Sequence, residues 1–336
     1  MNAEKFSLCV VGCGRYAADF AGSLAQLHEE LDLFFASRDL SRAEEYCRRF
    51  GGVDSFGSYP RAAEDARVDA LYICTPHNLH RQHCELGIRH GKHILVEKPL
   101  AHSLEDASAI VRSAAGSGVN LMVAENVRYM AQVRKCRELV SAGAVGHLRF
   151  IQFQEEYPFQ PGSWRSSRAD NGGGVLIDGG IHKVHFMRYM AGEPESVYAA
   201  ELPKAMGGQE GEDGMAVMLR WSTGAAGMIN HSWTAGSPRL PEVRITGTQG
   251  NMSFVVGSGQ IALESNDRKD MIRFSPDRRG RPSMVHDFVA SVRENREGET
   301  SGTEGLKDLA LVAAAYESAR HGDAVNFKDF LSRHWP

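Results

Sequence analysis

From Phe6 to Ala124 short apolar, β-branched runs alternate with longer stretches whose apolar positions recur at helical spacing. Residues 7–11, 33–36, 70–74, 93–96 and 121–124 read as strands, and residues 16–30, 41–50, 79–90 and 104–117 as helices. Gly51 and Gly91 stand where a helix ends on a left-handed residue. Continuous apolar strands alternating with helices imply a doubly wound parallel sheet covered on both faces, an α/β domain. After about residue 125 the pattern changes. A helix over 131–142 leads to a strand over 147–156, then an irregular Trp/Arg/Gly segment, then a helix over 174–190. Alternating strands fill 196–274, with turn signals at Ser222-Thr223-Gly224 and Thr248-Gln249-Gly250-Asn251, and helices over 284–294 and 303–320 close the chain. This second part reads as an α+β domain, its strands in antiparallel succession with helices to one side. The expected division is 1–125 and 126–336, with the last helices free to pack back on the first domain.

Composition narrows the function. At ~150 residues per domain, 336 residues suit two domains. Lys+Arg 38 against Asp+Glu 42 leaves a net charge of −4, without the basic excess that nucleic-acid binding needs. No apolar run approaches the ~20 residues that span a bilayer, and the apolar start before Gly12 reads as too short for the core of a secretion signal. Six cysteines scattered as far as Cys136, with no C-x-x-C pair, read as reduced thiols and a cytoplasmic location. His77, His80, His83 and Cys84 have helical spacing but no carboxylate to complete a metal set, so no metal is expected. A sheet with one bare face predicts a dimer or tetramer through that face.

Three motifs carry chemistry. Gly12-x-Gly14-x-x-Ala17 follows the first strand and opens the first helix. Its residues suit a tight turn, close approach of a pyrophosphate and close helix packing, with the helix N-terminus facing the anion. Where an acid would read the ribose stands Ser37-Arg38, then Asp39. The missing acid removes repulsion of a 2′-phosphate and Arg38 offers it a fork, which favours NADP over NAD; Asp39 reads as a helix cap. Glu97-Lys98-Pro99 ends a strand, the edge of an open α/β sheet at which ligands bind. Gly172-Gly173-Gly174 precedes Asp178, His182 and His185, which share one face of a helix at i, i+4 and i+7.

These motifs, with Thr75-Pro76-x-x-x-His80, Glu125-Asn126, Trp164-Arg165 and the closing helix, resemble the Gfo/Idh/MocA oxidoreductases over nearly the whole chain. The resemblance implies an NAD(P)-binding domain followed by an open-faced sheet domain. It also implies hydride transfer between nicotinamide and a secondary alcohol or ketone of a sugar, inositol or related polyol. It places cofactor contacts on Gly12, Gly14, Arg15, Tyr16, Ala17, Ser37, Arg38, Thr75, Pro76, His77, His80, Glu97, Lys98 and Asn126. The family's catalytic Lys, Asp and His match Lys98, Asp178 and His182. In those roles Lys98 polarises the oxygen, His182 exchanges the hydroxyl proton as a group that titrates near neutrality, and Asp178 orients its partners. Arg128, Trp164, Arg165 and His185 are further substrate candidates, Trp164 packing on a sugar face and Arg165 donating to oxygens. His185 stands where the family often has Asp, which bears on which substrate is held. Two other readings remain: an NADP-dependent diol dehydrogenase of the same family, and a catalytically silent nucleotide sensor.

Overall fold

The computed structural model describes residues 5–234, 242–265, 268–275 and 278–335. The chain forms two compact units. The first takes in the chain up to Glu125 and the segment Arg281–Leu306; the second comprises Asn126–Gly280 and Lys307–Trp335.

The first unit holds a parallel sheet of β1 (Phe6–Val11), β2 (Leu31–Ala36), β3 (Asp54–Phe56), β4 (Ala70–Ile73), β5 (His93–Val96) and β6 (Leu121–Val123), in the order β3-β2-β1-β4-β5-β6. Helices α1 (Arg15–Ser23), α2 (Leu40–Phe50), α3 (Tyr59–Glu64), α4 (His80–Arg89) and α5 (Leu104–Ala114) connect them. Leu8, Cys9, Val10, Leu71, Ile73, Ile94 and Leu95 are sealed from solvent, as continuous apolar strands between two helical layers require. The helices start and stop on local chemistry. Asp39 caps α2 by accepting from Ser41 N at 3.0 Å, Gly51 ends it at φ +67°, and Ser103 caps α5 ahead of Glu105 and Asp106. The helix expected over 16–30 is shorter: α1 stops at Ser23, a 3₁₀ turn covers Ala25–Leu27, and β2 begins at Leu31. Gln26, His28, Glu29 and Glu30 are exposed and give a continued helix nothing to bury. β3 and α3 escaped the pattern because they are too short to show a period. Strand order turns back between β1 and β4, so their carboxyl ends flank a crevice of the kind that takes nucleotides.

The second unit begins with α6 (Ala131–Ser141), β7 (Leu148–Glu156), α7 (Arg168–Asn171) and α8 (Ile181–Ala191). Seven strands follow: β8 (Ser196–Glu201), β9 (Gly214–Arg220), β10 (Ala226–Ser232), β11 (Val243–Gly247), β12 (Gly250–Phe254), β13 (Gln260–Ser265) and β14 (Arg268–Arg273). Helix α9 (Arg281–Arg293) belongs to the first unit, where Phe288 meets Phe6 edge-on at 6.0 Å. After it come α10 (Gly302–His321), β15 (Val325–Asn326) and α11 (Phe327–His334). The large sheet runs β14-β13-β12-β11-β7-β10-β9-β8-β15. It departs from the expected antiparallel succession at its centre, where β7 and β10 run parallel. The stretch from β7 through α8 carries the chain away, and the antiparallel run β8-β9-β10 brings its third strand back beside β7. One face is packed, with Ile151, Phe153, Val197, Val217, Ile229, Val243, Ile245 and Ile261 buried. The other carries a row in register across eight strands, Tyr198-Met218-Met228-Gln152-Arg244-Ser253-Ala262-Met271. Tyr198, Met218 and Met271 are exposed.

Candidate active site

The nucleotide end of the first unit is built by the turn after β1. Gly12 holds φ +102°, and a Cβ there would lie 2.8 Å from the Cys74 carbonyl oxygen, so only glycine fits. A Cβ on Gly14 would meet nothing within 4 Å, which leaves the backbone open to an incoming anion. Gly14 is the N-cap of α1 and no acidic residue occupies the first turn, so the N–H groups of that turn face no competing carboxylate. Ala17 is fully buried under the turn. These residues fit a dinucleotide pyrophosphate. Arg15 is exposed beside it and Tyr16 half-buried.

At the end of β2, Ser37 is buried and its hydroxyl accepts from Asp39 N at 3.2 Å. Asp39 is occupied as the α2 cap, and its bonds with Ser41 outweigh desolvation to hold the carboxyl below its ordinary value. The exposed Arg38 lies against the Tyr59 hydroxyl. Tyr59 meets His83 edge-on at 4.8 Å, and His83 Nδ1 pairs with Thr75 Oγ1 at 3.0 Å. Burial, reinforced by Arg38, pushes His83 down to about 4, so its ring is neutral near pH 7.

The spacing of Thr75-Pro76-x-x-x-His80 has a mechanical reason. The buried His80 ring sets Nε2 3.0 Å from Thr75 O and Nδ1 2.9 Å from Pro99 O, tying the loop after β4 to the turn that carries Lys98. His77 is buried against His80 at 5.6 Å. With His80 and His83 engaged in this way and Cys84 buried, the His/Cys spacing serves packing; among the described residues no group of three or more His, Cys, Asp or Glu side chains is arranged for a metal. Glu97 is buried and accepts from the Tyr72 hydroxyl, while Lys98, next in the chain, is half-buried.

In the second unit the segment around Asp178 is not a plain helix. Leu176–Gly180 forms a π-helical turn before α8, a device common at functional sites. Its close packing explains the glycines: a Cβ on Gly179 would lie 2.5 Å from His231 Nε2. Asp178 is buried and pairs with Arg165 Nε at 3.2 Å, and the Arg165 guanidinium stacks on Trp164 at 4.3 Å. A flat aromatic beside a fork of donors can take the apolar face and the hydroxyls of a ring-shaped polyol. His182, half-buried, opens α8. Behind it Lys183 pairs with Glu155 at 2.5 Å, and Glu155 O accepts from or faces His231 Nδ1 at 2.8 Å. Burial alone would raise the Glu155 carboxyl; Lys183 and the nearby histidines hold it below its ordinary value.

The common face expected for Asp178, His182 and His185 is broken by the π turn, and His185 lies in a buried arrangement. The ring is 2% exposed and its Nδ1 lies 2.7 Å from Asp308 Oδ2. Arg188 completes the buried set, binding Asp308 and, through two nitrogens, Glu193 at 2.6 and 2.8 Å. Arg128 stacks on Tyr189 at 4.3 Å. The Asn126 side-chain amide donates to Arg279 O at 2.7 Å, so it supports the second unit's own backbone.

The model for an oxidoreductase family with an NAD-binding Rossmann fold matches residues 6–125, and that for the GFO/IDH/MocA C-terminal domain matches residues 133–253. The chain is 31% identical to the trans-1,2-dihydrobenzene-1,2-diol dehydrogenase of Mus musculus, over 72% of this chain and 72% of that protein. The chain belongs to the Gfo/Idh/MocA family of oxidoreductases. It is also 26% identical to the D-apiose dehydrogenase of Rhizobium rhizogenes, over 98% of this chain and all of that protein. A levoglucosan dehydrogenase in complex with NADH and levoglucosan shares the fold, with TM-score 0.88, 22% identity, and coverage of 96% of this chain and 100% of that one.

Around the candidate residues the structure also places charged and hydroxyl groups that the sequence pattern did not single out: Tyr59, Tyr72, Glu155, Lys183, His231, Arg281 and Asp308. Some left a signal. Tyr72 is the one hydroxyl inside the otherwise apolar strand Ala70–Ile73, and Arg281 opens a helix, where the dipole disfavours a cation unless it has another use. Asp308 left none, because its partners lie over a hundred residues away.

Proposed function

We propose that this oxidoreductase is an NADP-preferring dehydrogenase or reductase acting on a secondary alcohol or ketone of a sugar or related cyclic polyol. The observation that carries this reading is the Trp164–Arg165–Asp178 group, an aromatic plane with a carboxylate-anchored donor fork, one π turn ahead of His182. Nicotinamide, when bound, supplies the hydride acceptor or donor. Lys98 steadies the substrate oxygen as negative charge develops on it. His182 takes the hydroxyl proton in oxidation and returns it in reduction. Asp178, held by Arg165, orients the hydroxyl, and Trp164 excludes water from the ring face.

The test is a screen of sugars, inositols, anhydrosugars and cyclic diols with both dinucleotides, read by nicotinamide absorbance. Turnover of a polyol is expected. A protein that binds dinucleotide but turns over none of them overturns the reading. A diol substrate is a second reading, supported by the identity to the mouse diol dehydrogenase, and turnover confined to cyclic unsaturated diols would favour it.

NADP preference rests on Ser37 and on Arg38 held against Tyr59. Ser37→Asp with Arg38→Ala is expected to shift relative affinity toward NADH by ~1–3 kcal/mol, the scale of a charge-assisted pair. Calorimetric titration of both reduced dinucleotides checks this, and tighter NADH binding by the unmodified protein would sink it.

The open sheet face is the proposed contact between two copies of the chain. Its row of Tyr198, Met218, Met228 and Met271 is apolar at both ends with Gln152 and Arg244 between, a self-complementary arrangement under two-fold symmetry. Met218→Lys is expected to move the protein from dimer toward monomer in sedimentation velocity. An unchanged assembly places the contact elsewhere.

A further inference from the structure

Glu97 precedes Lys98 in the chain, is 7% exposed, and is ringed by charged and hydroxyl groups drawn from four other parts of the first unit. Tyr72 of β4 donates its hydroxyl to Glu97 Oε1, and its ring is stacked on Phe20 at 3.8 Å, which fixes its direction. Arg281 of α9 is buried; its Nη1 donates to Asp19 O at 3.0 Å and its guanidinium lies 4.9 Å from the Tyr16 ring. Tyr16 of α1, Arg281, Lys98 and Glu125, just past β6, all act on Glu97 electrostatically. A carboxylate in this position needs its charge balanced, since burial disfavours the ionised form.

We propose that Tyr72 and Arg281 are positioning residues for the reaction at Lys98: they hold Glu97 as a carboxylate, and Glu97 is the counter-charge that keeps the Lys98 ammonium in place. The proposal rests on the reading that Lys98 acts on the substrate oxygen. Burial pushes Glu97 up to about 7, against the Tyr72 hydrogen bond and the positive charges of Lys98 and Arg281, with Glu125 adding to the rise. Glu97 therefore changes charge within the working pH range. Above that point it is ionised and Lys98 is held; below it Lys98 loses its counter-charge.

The signs follow. Tyr72→Phe removes a hydrogen bond that favours the carboxylate, so Glu97 should titrate at higher pH. Two measurements test this. In the first, the acid limb of the kcat–pH profile is followed in the reductive direction, where His182 must start protonated and sets no acid limb of its own, and is expected near pH 7 in the unmodified enzyme, following the Glu97 value. Tyr72→Phe should move it up by about one pH unit, a tenfold change in proton concentration, and Glu97→Gln should abolish it. In the second, the carboxyl carbon of Glu97 is followed by NMR in ¹³C-glutamate-labelled protein without substrate or dinucleotide, assigned by its loss in Glu97→Gln. Its midpoint should rise in Tyr72→Phe by the same amount. An acid limb and a carboxyl midpoint both unmoved by Tyr72→Phe overturn the proposal. Lys98→Ala separates the two ideas. If it leaves kcat intact, the reading of Lys98 itself fails. If it removes activity while Tyr72→Phe keeps the unmodified profile, only the role of Tyr72 and Glu97 fails.

Discussion

Lys98→Ala and His182→Ala are each expected to lower kcat by about a hundredfold or more, with dinucleotide affinity changing far less. Lys98 stands at the carboxyl end of β5, on a turn fastened to the loop after β4 through His80 and the Pro99 carbonyl. The His80 bonds to the Thr75 and Pro99 carbonyls do not involve the Lys98 side chain, so alanine there removes the cation and leaves those two ties in place. His182 opens α8 directly after the π turn, so its backbone is set by packed structure on both sides. Its proposed role is to carry the proton, and alanine removes the ring that would do so. The expected pattern in steady-state kinetics is a fall in kcat and in kcat/KM together, the signature of an interaction made in the transition state. A His182→Ala enzyme with near-normal kcat would remove the assigned proton path. A Lys98→Ala enzyme that merely raised KM would move Lys98 from chemistry to binding.

Asp308→Ala is expected to cost about 3–5 kcal/mol of stability, the scale for breaking a buried ion pair by deleting one partner. Asp308 is 5% exposed at its side chain, with His185 at 2% and Arg188 at 3%. Truncation takes the Asp308 carboxylate away from the buried Arg188 guanidinium, which keeps its pair with Glu193, and away from His185. Urea midpoints for the variant and the unmodified protein check the size; equal midpoints would show that the network contributes nothing net. The same network carries a pH dependence. Burial would raise the Asp308 carboxyl, but His185 and Arg188 outweigh it and hold the group below its ordinary value. A depressed carboxyl contributes stability that is fully present above its unfolded value and is lost as pH falls through the folded one. The unmodified protein should therefore lose more stability than Asp308→Ala on acidification below the ordinary carboxylate range.

The fold class of both units, and the local geometry of several candidate residues, could be read along the chain because they depend on neighbours in sequence. Strand and helix alternation up to Glu125 follows from the period of apolar positions, and the glycines of the first turn follow from backbone geometry that only glycine satisfies. Asp39 as a cap needed only Ser41, two residues on. Lys98 was legible because a strand end is a local event. Tertiary structure decided whatever depends on partners far along the chain. The i, i+4, i+7 spacing of Asp178, His182 and His185 predicted one shared face, but the fit of Gly179 against His231 introduces a π turn, and Asp308 draws His185 into the interior. The parallel pairing of β7 with β10 depends on where a long connection returns, which no local pattern records. Tyr72 and Arg281 likewise acquire their meaning from Glu97 and Tyr16, groups that folding alone brings beside them. Local periodicity and turn chemistry are set by covalent geometry over a few residues. The charge balance of a buried group is set by every element packed around it, and so belongs to the folded molecule.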